Sequence, residues 1–155
     1  MGIEIREFFA GDEIAFRRLN EEWIVRFFRL EEKDHEMLAN PQGTILDKGG
    51  RIFVAVKDGE PVGCCALLAI GPGEFEVGKM AVTQTAQGGG VGRKLLAQVM
   101  ADAKAAGATR LYLVTHDSLT PAIRLYESLG FKHLDPAQVE PSGYERANVF
   151  MEAYL

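Results

Sequence analysis

Apolar and polar residues alternate along Ile3–Phe8, which predicts a strand with one buried face. Gly11 and Asp12 interrupt it, with Asp12 as a candidate helix N-cap. The pattern then turns helical from Glu13 to about Leu30. Ile14, Leu19, Trp23, Phe27 and Leu30 fall on its apolar side, and Ile24 and Phe28 widen that side beyond an ordinary stripe. Glu31–Leu38 reads as a short charged helix, with His35 on its solvated side, stopped at Asn40-Pro41. Arg51–Lys57 and Pro61–Ile70 are strands joined through Asp58-Gly59, a strong hairpin signal. The second of these is expected to be buried on both faces. A third strand, Glu74–Thr83, follows the Gly71-Pro72-Gly73 turn, so the middle of the chain is an antiparallel meander.

Val91, Leu95, Leu96, Val99, Met100 and Ala103 recur at helical spacing up to a capping Gly107. Arg110–His116 is then a strand parallel to Glu74–Thr83 through a right-handed crossover. Thr120–Leu129 is a helix with Thr120 as N-cap and Pro121 at its first position, closed by Gly130. Phe131–Leu134 and Arg146–Leu155 are the last strands, separated by the loop Asp135–Glu145.

Between the third strand and its helix lies Gln87-Gly88-Gly89-Gly90-Val91-Gly92-Arg93. A glycine costs about 1 kcal/mol relative to alanine in a helix interior, so this cluster at a helix start needs a reason. First-turn amides have no intrahelical acceptors and carry the positive end of the helix dipole; left bare of side chains, they form a seat for a phosphate or pyrophosphate. Arg93 and Lys94 add full positive charge. The stretch lacks the Gly-Lys-Ser/Thr ending of the nucleotide-triphosphate loop, and G-x-G-x-x-G counted from Gly88 or Gly90 lands on Arg93 or Leu95.

With 155 residues, 47% apolar and 25% charged, the chain is expected to be one globular domain over residues 1–155. The net charge of −5 argues against a nucleic-acid partner. No run is apolar enough to span a membrane and no signal peptide opens the chain, so a cytoplasmic protein without a membrane partner is expected. Adjacent Cys64 and Cys65 point to opposite faces of a strand, which disfavours a disulfide between them and suits a reducing compartment. The histidines have no metal-ligand spacing to other ligating residues, so no metal is expected.

Gln87, Gly90 and Gly92 fit Gln/Arg-x-x-Gly-x-Gly/Ala behind the strand Met80-Ala81-Val82. Ala122–Phe131 (A-I-R-L-Y-E-S-L-G-F) fits A-x-x-L-Y-x-x-x-G-F. Together the two motifs resemble the GNAT superfamily of N-acetyltransferases. L-N-E-E-W-I and K-G-G further resemble stand-alone domains related to those fused to MarR-type regulators. The resemblance implies a mixed α+β fold: a mostly antiparallel twisted sheet of six to seven strands with one splayed parallel pair, flanked by about four helices. It implies acetyl-CoA as acyl donor, a small-molecule or peptide amine as acceptor, direct attack in a ternary complex, and compatibility with a homodimer.

Residue by residue, the resemblance assigns the donor's pantetheine arm to the backbone of Met80, Ala81 and Val82, with Gly78 as the site of the β-bulge that opens the gap. The pyrophosphate falls to Gln87, Gly88, Gly89, Gly90, Val91, Gly92 and Arg93. Tyr126 is assigned as general acid for the leaving thiolate, since a phenol with a reference pKa of about 10 stays protonated at neutral pH. Glu76 is the preferred general base, with Glu74 beside it as a substrate contact. Trp23, Phe27 and Phe28 are candidates for the acceptor pocket. One departure is Leu119, where the family often has Asn; its cofactor contact would pass to Ser118 or Thr120. Two other readings are a non-catalytic acyl-CoA-binding or sensor module of the same fold and a plain nucleotide-binding domain. The presence of Tyr126 favours the enzyme.

Overall fold

The computed structural model describes residues 2–155. Its seven strands are β1 (Glu4–Glu7), β2 (Arg51–Lys57), β3 (Glu60–Gly71), β4 (Glu74–Val82), β5 (Arg110–Thr115), β6 (Lys132–His133) and β7 (Val149–Tyr154). They form one sheet in the order β1-β2-β3-β4-β5-β7-β6. Every pairing is antiparallel except β4 with β5. The four α-helices are α1 (Glu13–Phe27), α2 (Glu32–Ala39), α3 (Val91–Ala105) and α4 (Thr120–Ser128). Mixed α+β architecture, the splayed parallel pair and the number of helices all agree with the sequence reading.

Each face of the sheet carries its own core. On one side Phe16 and Leu19 of α1 and Leu38 of α2 pack with Ile52, Cys64, Ala66 and Ala81. On the other, Val91, Leu95, Leu96 and Val99 of α3 pack with Phe53, Cys65, Leu67, Val77, Leu111 and Met151. Cys64 and Cys65 therefore belong to opposite cores, as strand alternation requires, and both are free thiols. At 25 cal/mol per Å², burying one side chain of the Leu or Phe class contributes about 1.5–3 kcal/mol, so both helical layers are held mainly by these stripes.

β4 and β5 pair only at Glu74–Glu76 against Arg110–Tyr112 and then separate. The divergence coincides with an irregularity on the other edge of β4. Cys64 pairs with Ala81 while Ala66 pairs with Gly78, so β4 carries one residue more than β3 across this stretch. The bulge begins at Gly78 as the sequence suggested, but the left-handed residue in it is Lys79, at φ +48°.

Other expectations are corrected. α1 stops at Phe27 because Phe28 is extended. Ile14 is 76% exposed, and the buried positions are Phe16, Leu19, Asn20 and Ile24. Asp12 occupies the N-cap position as expected, but its side chain makes no cap bond: the carboxylate accepts from Arg6 at 2.7 Å and from the Phe9 amide at 2.9 Å. Arg6 and the Phe9 amide hold the carboxylate away from the first-turn amides of α1, and the ionic hydrogen bond is the stronger of the two. Leu119, not Thr120, precedes α4. The last two strands are shorter than expected, Lys132–His133 and Val149–Tyr154, and Arg146 lies outside the sheet in an ion-pair network.

Candidate active site

The gap between β4 and β5 opens into two cavities. The larger, about 540 Å³, runs from Met80, Ala81 and Val82 past Gln87, Gly88, Gly90, Val91, Gly92 and Arg93 to Ser118 and Leu125. The smaller, about 100 Å³, lies between α1 and the diverging strands, with Asn20, Phe28, Glu76, Lys79, Tyr144 and Arg146 among its walls. Trp23, Met80, Leu119 and Tyr126 line both and form the partition between them. A third cavity of about 560 Å³, under the loop Leu134–Gly143, meets the small chamber at Glu76.

The glycine turn is built as the sequence suggested. Gly88 and Gly90 sit at φ +86° and +78°, a region an L-residue enters at about 1–2 kcal/mol. Gly90 is the N-cap of α3 and offers no side-chain cap. The first backbone bond of the helix runs from the Lys94 amide to the Gly90 carbonyl, and the amides of residues 88–93 have no acceptor among the described residues. A Cβ at Gly88 or Gly90 would meet no heavy atom within 4 Å, so these positions open onto free space. A row of unpaired amides at a helix start suits a pyrophosphate. Gly89 lies in the same row without lining the cleft.

Several polar groups of the cleft are already committed. The Gln87 amide donates to the Val82 carbonyl at 3.0 Å and its oxygen accepts from Arg26 at 3.1 Å, so this side chain shapes the turn. Arg93 donates to the Ser128 hydroxyl at 2.6 Å. Ser118 lies 2.7 Å from His116 Nδ1, which also accepts the Ser118 amide.

Tyr126 packs edge-on against Phe131, ring centroids 6.0 Å apart. Its hydroxyl makes no hydrogen bond among the described residues. Burial pushes its pKa up, reinforced by Cys65, so the phenol holds its proton at neutral pH. Glu76 is half-buried, and its carboxylate has no hydrogen-bond or ion-pair partner among the described residues. Burial raises its pKa against the opposing charges of Lys33 and Lys79.

Glu74 is not brought to the site. Its carboxylate accepts from Arg110 at 2.9 Å, and Arg110 also donates to Glu152 at 2.7 Å. Phe27 is 44% exposed at the lip of the larger cleft, under the Arg26 guanidinium, and the chamber receives Phe28 and Trp23 instead. The early end of α1 turns these two aromatics to different sides.

Charge reasoning from sequence missed the group that closes the chamber. Asp34 is fully buried. It accepts from both guanidinium nitrogens of Arg146 at 2.7 Å, from Lys79 Nζ and from the Glu31 amide at 2.9 Å. Lys79 also donates to the Tyr144 hydroxyl at 2.8 Å. Burial alone would raise the Asp34 pKa, but Arg146 and Lys79 hold it well below the usual carboxylate range. Leu38 lies one helical turn beyond Asp34 and is also buried, so the spacing on α2 was the available signal.

Comparison with known proteins agrees with this architecture. The family model described as "Acetyltransferase (GNAT) family" matches residues 15–131. An IAA acetyltransferase of Azospirillum brasilense is 38% identical over 106 residues, covering 68% of each chain. An N-acetyltransferase of Schizosaccharomyces pombe is 31% identical over 131 residues, covering 81% of this chain and 80% of that one. Among solved structures, a GNAT acetyltransferase of Staphylococcus aureus superposes with a TM-score of 0.88 at 21% identity over 99% of both chains. The PaiA N-acetyltransferase of Thermoplasma acidophilum, solved with coenzyme A, gives 0.76 at 19% identity over the whole of both chains. The chain belongs to the acetyltransferase (GNAT) family, a family of acyl-CoA-dependent N-acyltransferases. No helix among the described residues is long and apolar enough to cross a membrane.

Proposed function

We propose that this protein transfers an acetyl group from acetyl-CoA to a primary amine by direct attack in a ternary complex. The observation that carries this reading is the partition. Tyr126 lines the large cleft, where unpaired amides suit a diphosphate, and the small chamber, where Glu76 is an unpartnered carboxylate. In this reading the amides of residues 88–93 hold the pyrophosphate and the Met80–Val82 backbone holds the pantetheine arm. The amine nitrogen, deprotonated toward Glu76 directly or through water, bonds to the thioester carbonyl carbon. The carbon–sulfur bond breaks and the sulfur takes the Tyr126 proton. Products are the acetamide and free coenzyme A.

The test follows free thiol release from acetyl-CoA across an amine panel, with thermal shifts for the donor. Acetyl-CoA should raise Tm by mass action while ATP and NAD leave it unchanged. Gly90→Val places a branched side chain at φ +78° over the amides; the acetyl-CoA shift should vanish while the variant still melts cooperatively. Donor stabilisation without thiol release on any amine would favour the non-catalytic acyl-CoA-binding module.

Glu76 supplies a pH prediction. Because its pKa is raised, the base is protonated, hence inactive, to a higher pH than an ordinary glutamate. Activity should therefore rise with pH through a limb above about pH 4.5. Glu76→Gln should remove that limb and lower kcat by roughly 100-fold, leaving only the titration of the amine itself. An unchanged pH–rate profile would remove Glu76 from the mechanism.

A further inference from the structure

The small chamber, about 100 Å³, is well below the roughly 300–1,000 Å³ of ordinary small-molecule sites. It has room for an amino group but not for the body behind it. The third cavity, about 560 Å³, has that room, and Glu76 and Val114 line both. The strand register explains the junction. Glu76 lies beside Tyr112 in the parallel pair, at the last paired step before β4 and β5 separate. Residues two apart on a strand share a face, so Arg110, Tyr112 and Val114 stand on one face of β5 and all three line the third cavity.

Five charged side chains line that cavity: Lys33, Glu76, Arg110, Asp135 and Glu140. Arg110 is committed to Glu74 and Glu152. Asp135 is exposed and accepts from the Ala137 amide, and Glu140 is exposed at the rim. Lys33 and Glu76 remain, each half-buried and neither in a hydrogen bond or ion pair among the described residues. Lys33 is the strongest charge acting on Glu76, so the two are near neighbours that do not close on each other. The loop holds Lys33 in place. Its stem lies across Gly143, where a Cβ would come within 2.7 Å of Lys33 Cδ, and its Nζ stands 4.8 Å from the Tyr144 ring centroid. Lys79 and Arg146 face the same ring at 4.7 and 4.4 Å, and both are paired with Asp34. Lys33 is the cation of this group left without an anion among the described residues.

We propose that the third cavity receives the body of the acceptor and that Lys33 binds a carboxylate on it, so that the preferred acceptors are amino acids whose amino group lies at Glu76. This rests on the amine-acetyltransferase reading above. An amino acid carries both charges a short distance apart, which matches an unpaired cation and an unpaired carboxylate on the walls of one cavity. A plain amine satisfies Glu76 and leaves Lys33 as it is. A hydrogen bond to a charged group contributes enough to separate the two classes by about 10- to 100-fold.

The test compares kcat/KM across a panel of L-amino acids with that for the amines lacking only the carboxylate, such as L-leucine with 3-methylbutylamine. For its best amino acid, wild type should prefer the acid over the matched amine by about 10- to 100-fold. Lys33→Met should reduce that ratio at least tenfold, chiefly by raising the KM for the amino acid, with the KM for acetyl-CoA unchanged. Lys33→Arg keeps the charge and should retain the ratio within about threefold. If Lys33 acted only by its charge on Glu76, its loss would alter both substrate classes alike and leave the ratio untouched. A wild type that prefers the matched amines, or a ratio unchanged in Lys33→Met, overturns this proposal and leaves the amine reading standing. Wild-type protein that binds acetyl-CoA and acetylates neither class overturns both.

Discussion

Tyr126→Phe is expected to lower kcat for acetyl transfer by about 100- to 1000-fold while the KM for acetyl-CoA stays within a few-fold of wild type. A positioned general acid contributes roughly 10²–10⁴ in rate, and tenfold in rate corresponds to about 1.4 kcal/mol. The substitution removes one oxygen and keeps the ring that packs on Phe131, so folding and donor binding should survive. The loss should fall on kcat and kcat/KM together, the mark of an interaction made only in the transition state. It should shrink with a donor whose leaving thiol is more acidic and needs less protonation. Full turnover by the phenylalanine variant on every accepted amine would exclude Tyr126 as the acid.

The second large effect is on stability. Asp34→Ala leaves Lys79 and Arg146 buried without their shared carboxylate. Breaking a buried ion pair from one side costs about 3–5 kcal/mol, which for a chain of this size corresponds to a Tm lower by roughly 6–20 °C. The sign with pH follows from the depressed Asp34 pKa. Its contribution is fully present above the unfolded-state value, near pH 4, and is lost as pH falls through the folded value. The Tm difference between wild type and Asp34→Ala should therefore be widest near neutrality and narrow in acid. Equal Tm values at pH 7 would mean that the network contributes no net stability. Activity should suffer too, because the same carboxylate ties α2, the β4 bulge at Lys79 and the Tyr144–Arg146 loop around the chamber.

Lys79 connects the two predictions. A non-glycine residue at φ +48° is strained by about 1–3 kcal/mol and persists only when its surroundings over-determine it. Here the surroundings are Asp34 and Tyr144, which hold a side chain only 4% exposed. The bulge lies where β4 turns away from β5, so this ion pair stabilises the opening between the two strands.

What the linear chain determined was local. Alternation gave β1 and β4, short apolar runs gave β2 and β3, and Asp58-Gly59 gave the hairpin turn between those two. The 3.6-residue repeat gave α3, and four glycines at its start gave the turn with its row of unpaired amides, because a turn, a cap and an amphipathic stripe are each decided within a few neighbours. The Tyr126 motif was legible for the same reason: its helix carries its own signals. Tertiary structure decided where polar residues inside helices point. Asp34 and Asn20 look solvated in a charged segment and in a widened apolar face, yet each is buried because its partners lie across the fold, at Lys79 and Arg146 for the one and Cys64 for the other. The fate of Glu74 was likewise set at a distance, by Arg110 on the neighbouring strand, whereas Phe27 was turned aside locally by the break after α1. A hydrogen bond or ion pair between residues far apart leaves no periodic trace in either segment, so the glycine turn could be read from the chain and the chamber between α1 and the diverging strands only from its packing.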